Sequence, residues 1–128
     1  MRLLLDSHVL LWAIDSPDLL SKQASAVIVD ERNELYVSVV SMWEIAIKAG
    51  AGKLHFPGTA NFLEAHLERL GVWSYLPVTL SHVRRVSKLP AVHKDPFDRM
   101  LVAQAITERL SLVSKDAHFE KYPVEVIW

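Results

Sequence analysis

Short apolar runs alternate along the chain with longer segments in which apolar residues recur every three or four positions. Runs rich in β-branched and aromatic residues are typical of buried strands, and the longer spacing is typical of helices with one buried face. The pattern predicts strands at Arg2–Leu5, Glu34–Val40, Val72–Val78, Ser111–Ser114 and Val124–Trp128. It predicts helices at Ser7–Ile14, Ser21–Arg32, Trp43–Ala49, Ala60–Leu70, Ser81–Lys88 and Pro96–Leu110.

This alternation of strands and helices favours an α/β fold, in which a parallel sheet carries helices on both faces. No internal repeat and no linker-like stretch divides the chain, so residues 1–128 are expected to form one domain. Ligands of such sheets bind outside the carboxyl ends of the strands, and chemistry is expected there.

Composition argues against several classes of protein. Fourteen Lys and Arg against fifteen Asp and Glu give a net charge of −1, so any contact with nucleic acid must rest on a local patch. The absence of cysteine removes disulfides and thiolate metal sites and suits the cytoplasm, where we expect the protein. No apolar run approaches the roughly 18 residues that span a bilayer, so no membrane association is expected. Asp6 interrupts the apolar start, so Met1 is interpreted as a mature N-terminus.

Hydrophobic residues make up 51% of the chain, a high share for so small a domain. Either the core is well filled, or part of the apolar surface faces a partner. Trp12, Trp43, Phe56 and Trp73 are interpreted mainly as core residues.

Acidic residues follow the predicted strands or open the helices after them. They are Asp6, Glu44, Asp95, Asp98 and Asp116. Because the carboxyl ends of parallel strands share one edge of the sheet, these acids are expected to converge.

Each acid also has a purely structural explanation. Ser41 and Glu44 have the spacing of a capping box, with Glu44 in the first turn of its helix. Asp95 is a natural N-cap before proline, and Asp98 lies where the helix dipole favours an anion. The acids after the first and fourth strands could cap the short helices that follow.

Together, however, several carboxylates at one edge would repel each other and raise each other's pKa unless a cation neutralises them. Oxygen ligands at this density favour a hard ion such as Mg²⁺ or Mn²⁺. Such a site suits phosphodiester chemistry, in which a metal activates water and stabilises charge on phosphate.

Four segments carry a resemblance that covers nearly the whole chain. They are Leu3–Ile14 (LLLDSHVLLWAI), Ser38–Leu54 (SVVSMWEIAIKAGAGKL), Leu89–Ala105 (LPAVHKDPFDRMLVAQA) and Leu112–Phe119 (LVSKDAHF). In this order they resemble a PIN domain, and more narrowly a VapC-type toxin of a bacterial toxin–antitoxin pair.

The resemblance implies a three-layer α/β/α fold with a central, mostly parallel five-stranded sheet, and a Mg²⁺-dependent endoribonuclease in which Mn²⁺ can substitute. The acids that match the family's catalytic and metal-binding positions are Asp6, Glu44, Asp98 and Asp116. Asp95 is either a further contact to metal or only a helix cap, and Ser114 matches a hydroxyl that helps to orient the site.

The resemblance also implies partners. The family forms homodimers that assemble further with a cognate antitoxin, and the substrate is RNA. A groove near Trp43, Ala49–Phe56 and the N-terminal helices is expected to receive the antitoxin's C-terminal segment.

The stretch from Arg69 to Lys94 contains no acid and leads into the Asp95–Asp98 corner. Its basic residues nearest that corner are Arg84, Arg85, Lys88 and Lys94. They either guide RNA phosphates or form a solvated helix face. Arg99 is expected to pair with Asp95 or to hold a phosphate.

Other functional classes were weighed against this one. A metal-independent ribonuclease that uses His93 and His118 would leave a cyclic phosphate, but no histidine spacing supports it. A receiver-like signalling domain would need paired acids after the first strand and an aspartate after the third, and both are missing. A non-enzymatic RNA-binding domain would leave the acids unexplained.

Overall fold

The computed structural model describes residues 1–128. Its strands are β1 (Arg2–Leu5), β2 (Glu34–Ser38), β3 (Val72–Leu76), β4 (Ser111–Val113) and β5 (Val126–Ile127). Its α-helices are α1 (Ser7–Asp15), α2 (Lys22–Val29), α3 (Val39–Gly50), α4 (Ala60–Leu70), α5 (Leu80–Val86) and α6 (Pro96–Glu108). Two short 3₁₀ helices cover Pro17–Leu19 and Ala117–Lys121.

The strands form one sheet in the order β3-β2-β1-β4-β5, and every pairing in it is parallel. Leu5, at the end of the central strand, lies beside Val37 on one side and Val113 on the other. The predicted α/β class is confirmed, with a sheet that is wholly rather than mostly parallel. A receiver-like fold would place β3 next to β1, so the observed order excludes that alternative.

Two separate apolar clusters cover the two faces of the sheet, which gives three layers. Leu3 and Leu5 belong to a cluster of thirteen buried residues on the face of the sheet that packs against α1, α2, α3 and α4. Leu4 and Leu112 face the opposite way, into an eight-residue cluster built mainly on α6. Neighbouring residues of β1 point to opposite faces because side chains alternate along a strand. None of the helices combines the length and the apolar character that crossing a bilayer requires.

Helix α3 begins four residues earlier than predicted, and this changes the setting of Glu44. Ser38 is the N-cap, and its hydroxyl accepts a hydrogen bond from the Val40 backbone N–H at 3.1 Å. The predicted capping box between Ser41 and Glu44 is therefore wrong, as is the placement of Glu44 in the first turn. The β-branched pair Val39–Val40 resembles a strand, but the Ser38 cap ends β2 and starts the helix.

The interpretation of the large aromatic residues as core was wrong for two of them. Trp43 is 62% exposed and Trp73 is 68% exposed. Phe56 is half-buried against the larger core cluster, and Trp12 is half-buried beside Trp128, which packs against the same cluster. The high hydrophobic content thus includes apolar surface as well as core.

A buried hydrogen-bond link ties the sheet edge to α6. The Ser38 hydroxyl donates to the Gln104 side-chain oxygen, and the Gln104 amide donates to the Pro77 carbonyl at 3.2 Å. Ser38 and Gln104 are both fully buried. This link joins the start of α3 to the middle of α6, the two helices that carry Glu44 and Asp98.

Replacing Gln104 by leucine is expected to lower the free energy of unfolding by about 2–3 kcal/mol, because the buried Ser38 hydroxyl and the Pro77 carbonyl lose their partner. Urea denaturation measures the change. The exposed Gln23 of α2 gives the matched control, and Gln23→Leu should stay within about 0.5 kcal/mol of the wild type. Equal effects of the two substitutions would contradict the importance of the link.

Candidate active site

Asp6 lies directly after β1 at the centre of the sheet edge, with 7% of its surface exposed. One carboxylate oxygen caps α1 by accepting from the His8 N–H at 2.6 Å and the Val9 N–H at 3.3 Å. The other accepts a hydrogen bond from the Ser114 hydroxyl. Burial raises the pKa of Asp6, and these hydrogen bonds only partly oppose that effect. The Ser114 hydroxyl also accepts from the Asp116 N–H at 3.1 Å, so Ser114 bridges the ends of β1 and β4.

Asp95 is the N-cap of α6, as predicted. Its carboxylate accepts from the Phe97 N–H at 2.7 Å and the Asp98 N–H at 3.4 Å, and Pro96 occupies the first helical position. The cap holds Asp98 in the first turn of α6 and orients it towards the sheet edge.

Asp98 is a second acid of this group whose pKa is raised. Burial, followed by the charges of Asp95, Glu44 and Asp6, raises the pKa of Asp98 to about 6, although the charge of His93 opposes the shift. Burial alone raises the pKa of a carboxyl group, and nearby carboxylates that are incompletely neutralised raise it further. Asp95, Glu44 and Asp6 lie near enough to Asp98 for their charges to act on it, in agreement with the predicted convergence.

Glu44 lies in the second turn of α3 with 16% of its side chain exposed. Its carboxylate pairs with the ammonium group of Lys48 at 3.3 Å, one turn further along the helix. The sequence analysis did not select Lys48, although a Glu and a Lys four residues apart on one helix are a recognisable pair.

Asp116 is held by two histidines. His93 Nε2 lies 2.8 Å from one carboxylate oxygen, and the backbone N–H and ring of His118 contact the other at 2.9 and 3.0 Å. The His93 ring stacks on Tyr122, whose hydroxyl lies 3.0 Å from Nδ1. Burial raises the pKa of Asp116, but the hydrogen bonds from His93 and His118 outweigh it and hold the pKa below its usual value.

These five acids, which we call the acidic rim, thus fall into two parts. Asp6, Glu44, Asp95 and Asp98 influence one another directly, whereas Asp116 joins them through Ser114 and His93. No three Asp, Glu or His side chains are grouped closely enough to enclose a metal ion on their own. The rim offers oxygen ligands, unneutralised charge and access from solvent. These features fit Mg²⁺, which usually binds one or two carboxylates and keeps several waters.

Helix α5 runs antiparallel to α6 and is fixed to it at both ends. The buried His82 contacts the Glu108 carboxylate at 2.8 Å, at the far end of α6. At the near end, the Arg99 guanidinium donates to the Val86 and Pro90 carbonyls at 3.1 and 3.0 Å. Arg99 is therefore paired with backbone carbonyls, and the predicted pairing with Asp95 is wrong.

This arrangement brings the basic end of α5 beside the first turn of α6. Arg84, Arg85, Lys88 and Lys94 are all exposed there. Arg69, by contrast, lies just before the start of β3, at the opposite edge of the sheet from the acidic rim. The basic stretch seen in the sequence is thus divided between two ends of the molecule.

An apolar cavity of about 300 Å³ adjoins the rim. Trp43 and Phe97, which directly precede Glu44 and Asp98, meet edge to face in it at 5.1 Å between ring centroids. Exposed Val39 and Ile47 lie four residues before and after Trp43 on α3 and continue the apolar surface along that helix, and Leu80 at the start of α5 is also exposed. Apolar area of this kind marks a contact surface more often than an isolated exposed residue does.

Comparisons with known proteins agree with this geometry. A profile of the PIN domain family matches residues 3–125. Ribonuclease VapC22 from Mycobacterium tuberculosis (strain ATCC 25618 / H37Rv) is 32% identical over an alignment of 138 positions, which covers 96% of each chain.

Two solved structures show the same fold. VapBC2 from Rickettsia felis, bound to a DNA fragment from its promoter, has a TM-score of 0.70 at 15% identity and covers 98% of this chain and 97% of that one. DNA-bound VapBC from Salmonella typhimurium also has a TM-score of 0.70, at 16% identity, and covers 98% of this chain and 96% of that one.

Proposed function

The chain belongs to the PIN domain family and is of the VapC type, and from this we propose that it is a metal-dependent endoribonuclease that acts as the toxin of a toxin–antitoxin pair. The observation that carries the proposal is that Asp98 is partly buried beside Asp95, Glu44 and Asp6, and burial together with the charges of these carboxylates raises its pKa to about 6. Such crowding is unfavourable without a cation, and it lies at the sheet edge where α/β proteins bind ligands.

We assign metal binding to Asp6, Glu44, Asp98 and Asp116, with Asp95 mainly a helix cap that can contact metal-bound water. Mg²⁺, or Mn²⁺ in its place, would supply activation of water and neutralisation of charge on the attacked phosphate. The Ser114 hydroxyl fixes the position of the Asp6 carboxylate relative to the Asp116 backbone by hydrogen bonding to both. His93 and His118 orient the Asp116 carboxylate from its other side.

The exposed basic side chains beside the first turn of α6 are proposed to bind the RNA backbone. They are Arg84, Arg85, Lys88 and Lys94. Phosphate contacts of this type position a nucleic acid without reading its sequence. Arg99 has a different role, because its guanidinium holds the segment that carries Lys88 and Lys94 against α6.

Cleavage of RNA is expected to require Mg²⁺ or Mn²⁺, to stop in EDTA, and to leave a 5′-phosphate and a 3′-hydroxyl. The reason is that attack by water displaces the 3′-oxygen, whereas attack by the ribose 2′-hydroxyl produces a cyclic phosphate. Analysis of end-labelled fragments distinguishes the two products, and EDTA followed by added Mg²⁺ provides the control.

The histidine alternative has one observation in its favour, since the rings of His93 and His118 lie 6.2 Å apart on either side of Asp116. Cyclic phosphate ends formed in EDTA, and lost in His93→Ala, would support that alternative and contradict the metal mechanism.

We further propose that the cognate antitoxin covers the apolar surface beside Trp43 and that two toxin chains form a homodimer within a larger assembly. The exposed residues Trp43, Ile47 and Leu80 support a covered surface. An arginine from the antitoxin would find several partly unneutralised carboxylates at the adjacent rim.

A further inference from the structure

Lys48 carries a positive charge to the edge of the acidic rim. Its ammonium group lies 3.3 Å from the carboxylate of Glu44, a side chain to which we assign metal binding. Only 28% of the Lys48 side chain and 16% of the Glu44 side chain are exposed. An ordinary pair on the outer face of a helix would be more open to water.

The other nearby cations are committed elsewhere or point into solvent. Arg99 donates to two backbone carbonyls, and His93 and His118 both contact Asp116. Lys94 is exposed and forms no ion pair. Lys48 is therefore the lysine or arginine that forms an ion pair with a carboxylate of the rim.

We propose that Lys48 is the resident counter-ion of the acidic rim and a phosphate-binding residue of the active site, an inference that rests on the proposed nuclease function. Without metal, its ammonium group partly neutralises the Glu44 carboxylate. A metal ion held by Glu44 would compete with Lys48 for the same carboxylate. The released ammonium group would then be available to a phosphate oxygen of an RNA strand that enters the rim.

This role predicts opposite effects on two measurements. Replacing Lys48 by methionine removes the competing charge but keeps a similar length and apolar stem, so metal should bind more tightly. The same change removes a cation from a substrate that carries negative charge, so cleavage should slow. A residue that merely supported the fold of α3 would weaken both.

The test compares Lys48→Met and Lys48→Arg with Lys53→Met, a control at an exposed lysine just beyond α3. Calorimetric titration with Mn²⁺ in the absence of RNA measures metal affinity. Lys48→Met is expected to bind Mn²⁺ about threefold or more tightly than the wild type, because an ion pair with partly buried members is lost.

Single-turnover cleavage at saturating metal supplies the second measurement. Lys48→Met should lose roughly 10- to 100-fold in rate, the range expected when an electrostatic contact to the reacting group is removed. Lys48→Arg should stay within about threefold of the wild type in both measurements because it keeps the charge. Lys53→Met should match the wild type in both.

The outcomes separate this inference from the proposed function. If the wild type binds Mn²⁺ and cleaves RNA while Lys48→Met changes neither property, or weakens both, the role of Lys48 is overturned and the nuclease assignment survives. If the wild type binds no Mn²⁺ and its cleavage persists in EDTA, both the metal mechanism and the role of Lys48 are overturned.

Discussion

Replacing Asp98 by asparagine is expected to abolish RNA cleavage and to stabilise the metal-free protein at neutral pH. Cleavage should fall by about 10²- to 10³-fold or more, because a carboxylate that we propose to hold the metal is lost from the reacting centre. Stability should rise because burial and the charges of Asp95, Glu44 and Asp6 make ionisation of Asp98 unfavourable in the folded chain. The two effects have one cause, which is the concentration of negative charge at the rim.

The gain in stability should depend on pH in a defined direction. The pKa of Asp98 is raised from 3.8 to about 6, so between these values the folded state keeps a proton that the unfolded state has released. Wild-type stability therefore falls as pH rises through this window. The advantage of Asp98→Asn should be small at pH 4 and fully developed above pH 6.

The size of this advantage is about 1–2 kcal/mol once solvent around the partly exposed carboxylate is allowed for. That corresponds to a rise of about 3–8 °C in Tm for a domain of this length. Thermal unfolding in EDTA at several pH values measures it, with Asp18→Asn as a control at an exposed acid outside the rim. Added Mg²⁺ should stabilise the wild type more than Asp98→Asn. A variant that cleaves at the wild-type rate would remove Asp98 from the site.

The order of strands and helices was predictable because local sequence patterns indicate where each element begins and ends. Strands β1 and β4 are short apolar runs followed at once by polar residues, and α6 begins at an Asp–Pro pair that signals a capped helix. Convergence of the acids then followed from the parallel sheet, since every strand ends at the same edge. These features depend on neighbours in sequence and on one rule of topology.

The features that were missed depend on long-range packing. Arg99 lies beside acids in the sequence, yet its guanidinium binds carbonyls of a segment that folds back along α6. Trp43 and Trp73 are residues of a type common in cores, and both are nevertheless exposed. Residue type alone does not distinguish a side chain in the core from one on an apolar contact surface.

The setting of Glu44 shows how a small boundary error propagates. A helix that started at Trp43 would place Glu44 in the first turn, where capping explains it. With the cap at Ser38, Glu44 has a full turn on either side, and the pair with Lys48 becomes part of the rim. A shift of four residues thus removes the capping explanation of Glu44 and leaves it as a carboxylate that we propose to bind metal.

Production of the protein alone in a bacterial host is expected to arrest growth, and co-production with its antitoxin is expected to restore it. A small protein encoded next to the gene for this chain would be the candidate antitoxin to test. Its binding would cover the apolar surface formed by Trp43, Ile47 and Leu80, and a basic side chain at its end would neutralise the rim.

The variant Asp98→Asn separates toxicity from partner binding, because it removes one rim charge and leaves the apolar surface intact. Cells that produce Asp98→Asn alone should grow at the rate of an empty-vector control, while Asp18→Asn should remain toxic. Both variants should co-purify with the antitoxin, and Trp43→Ala should reduce that recovery because it removes the most exposed aromatic side chain of the surface. If the folded wild-type chain neither slows growth nor retains the neighbouring protein, the toxin assignment is wrong. Nuclease activity in the same preparation would then belong to a PIN domain with another purpose.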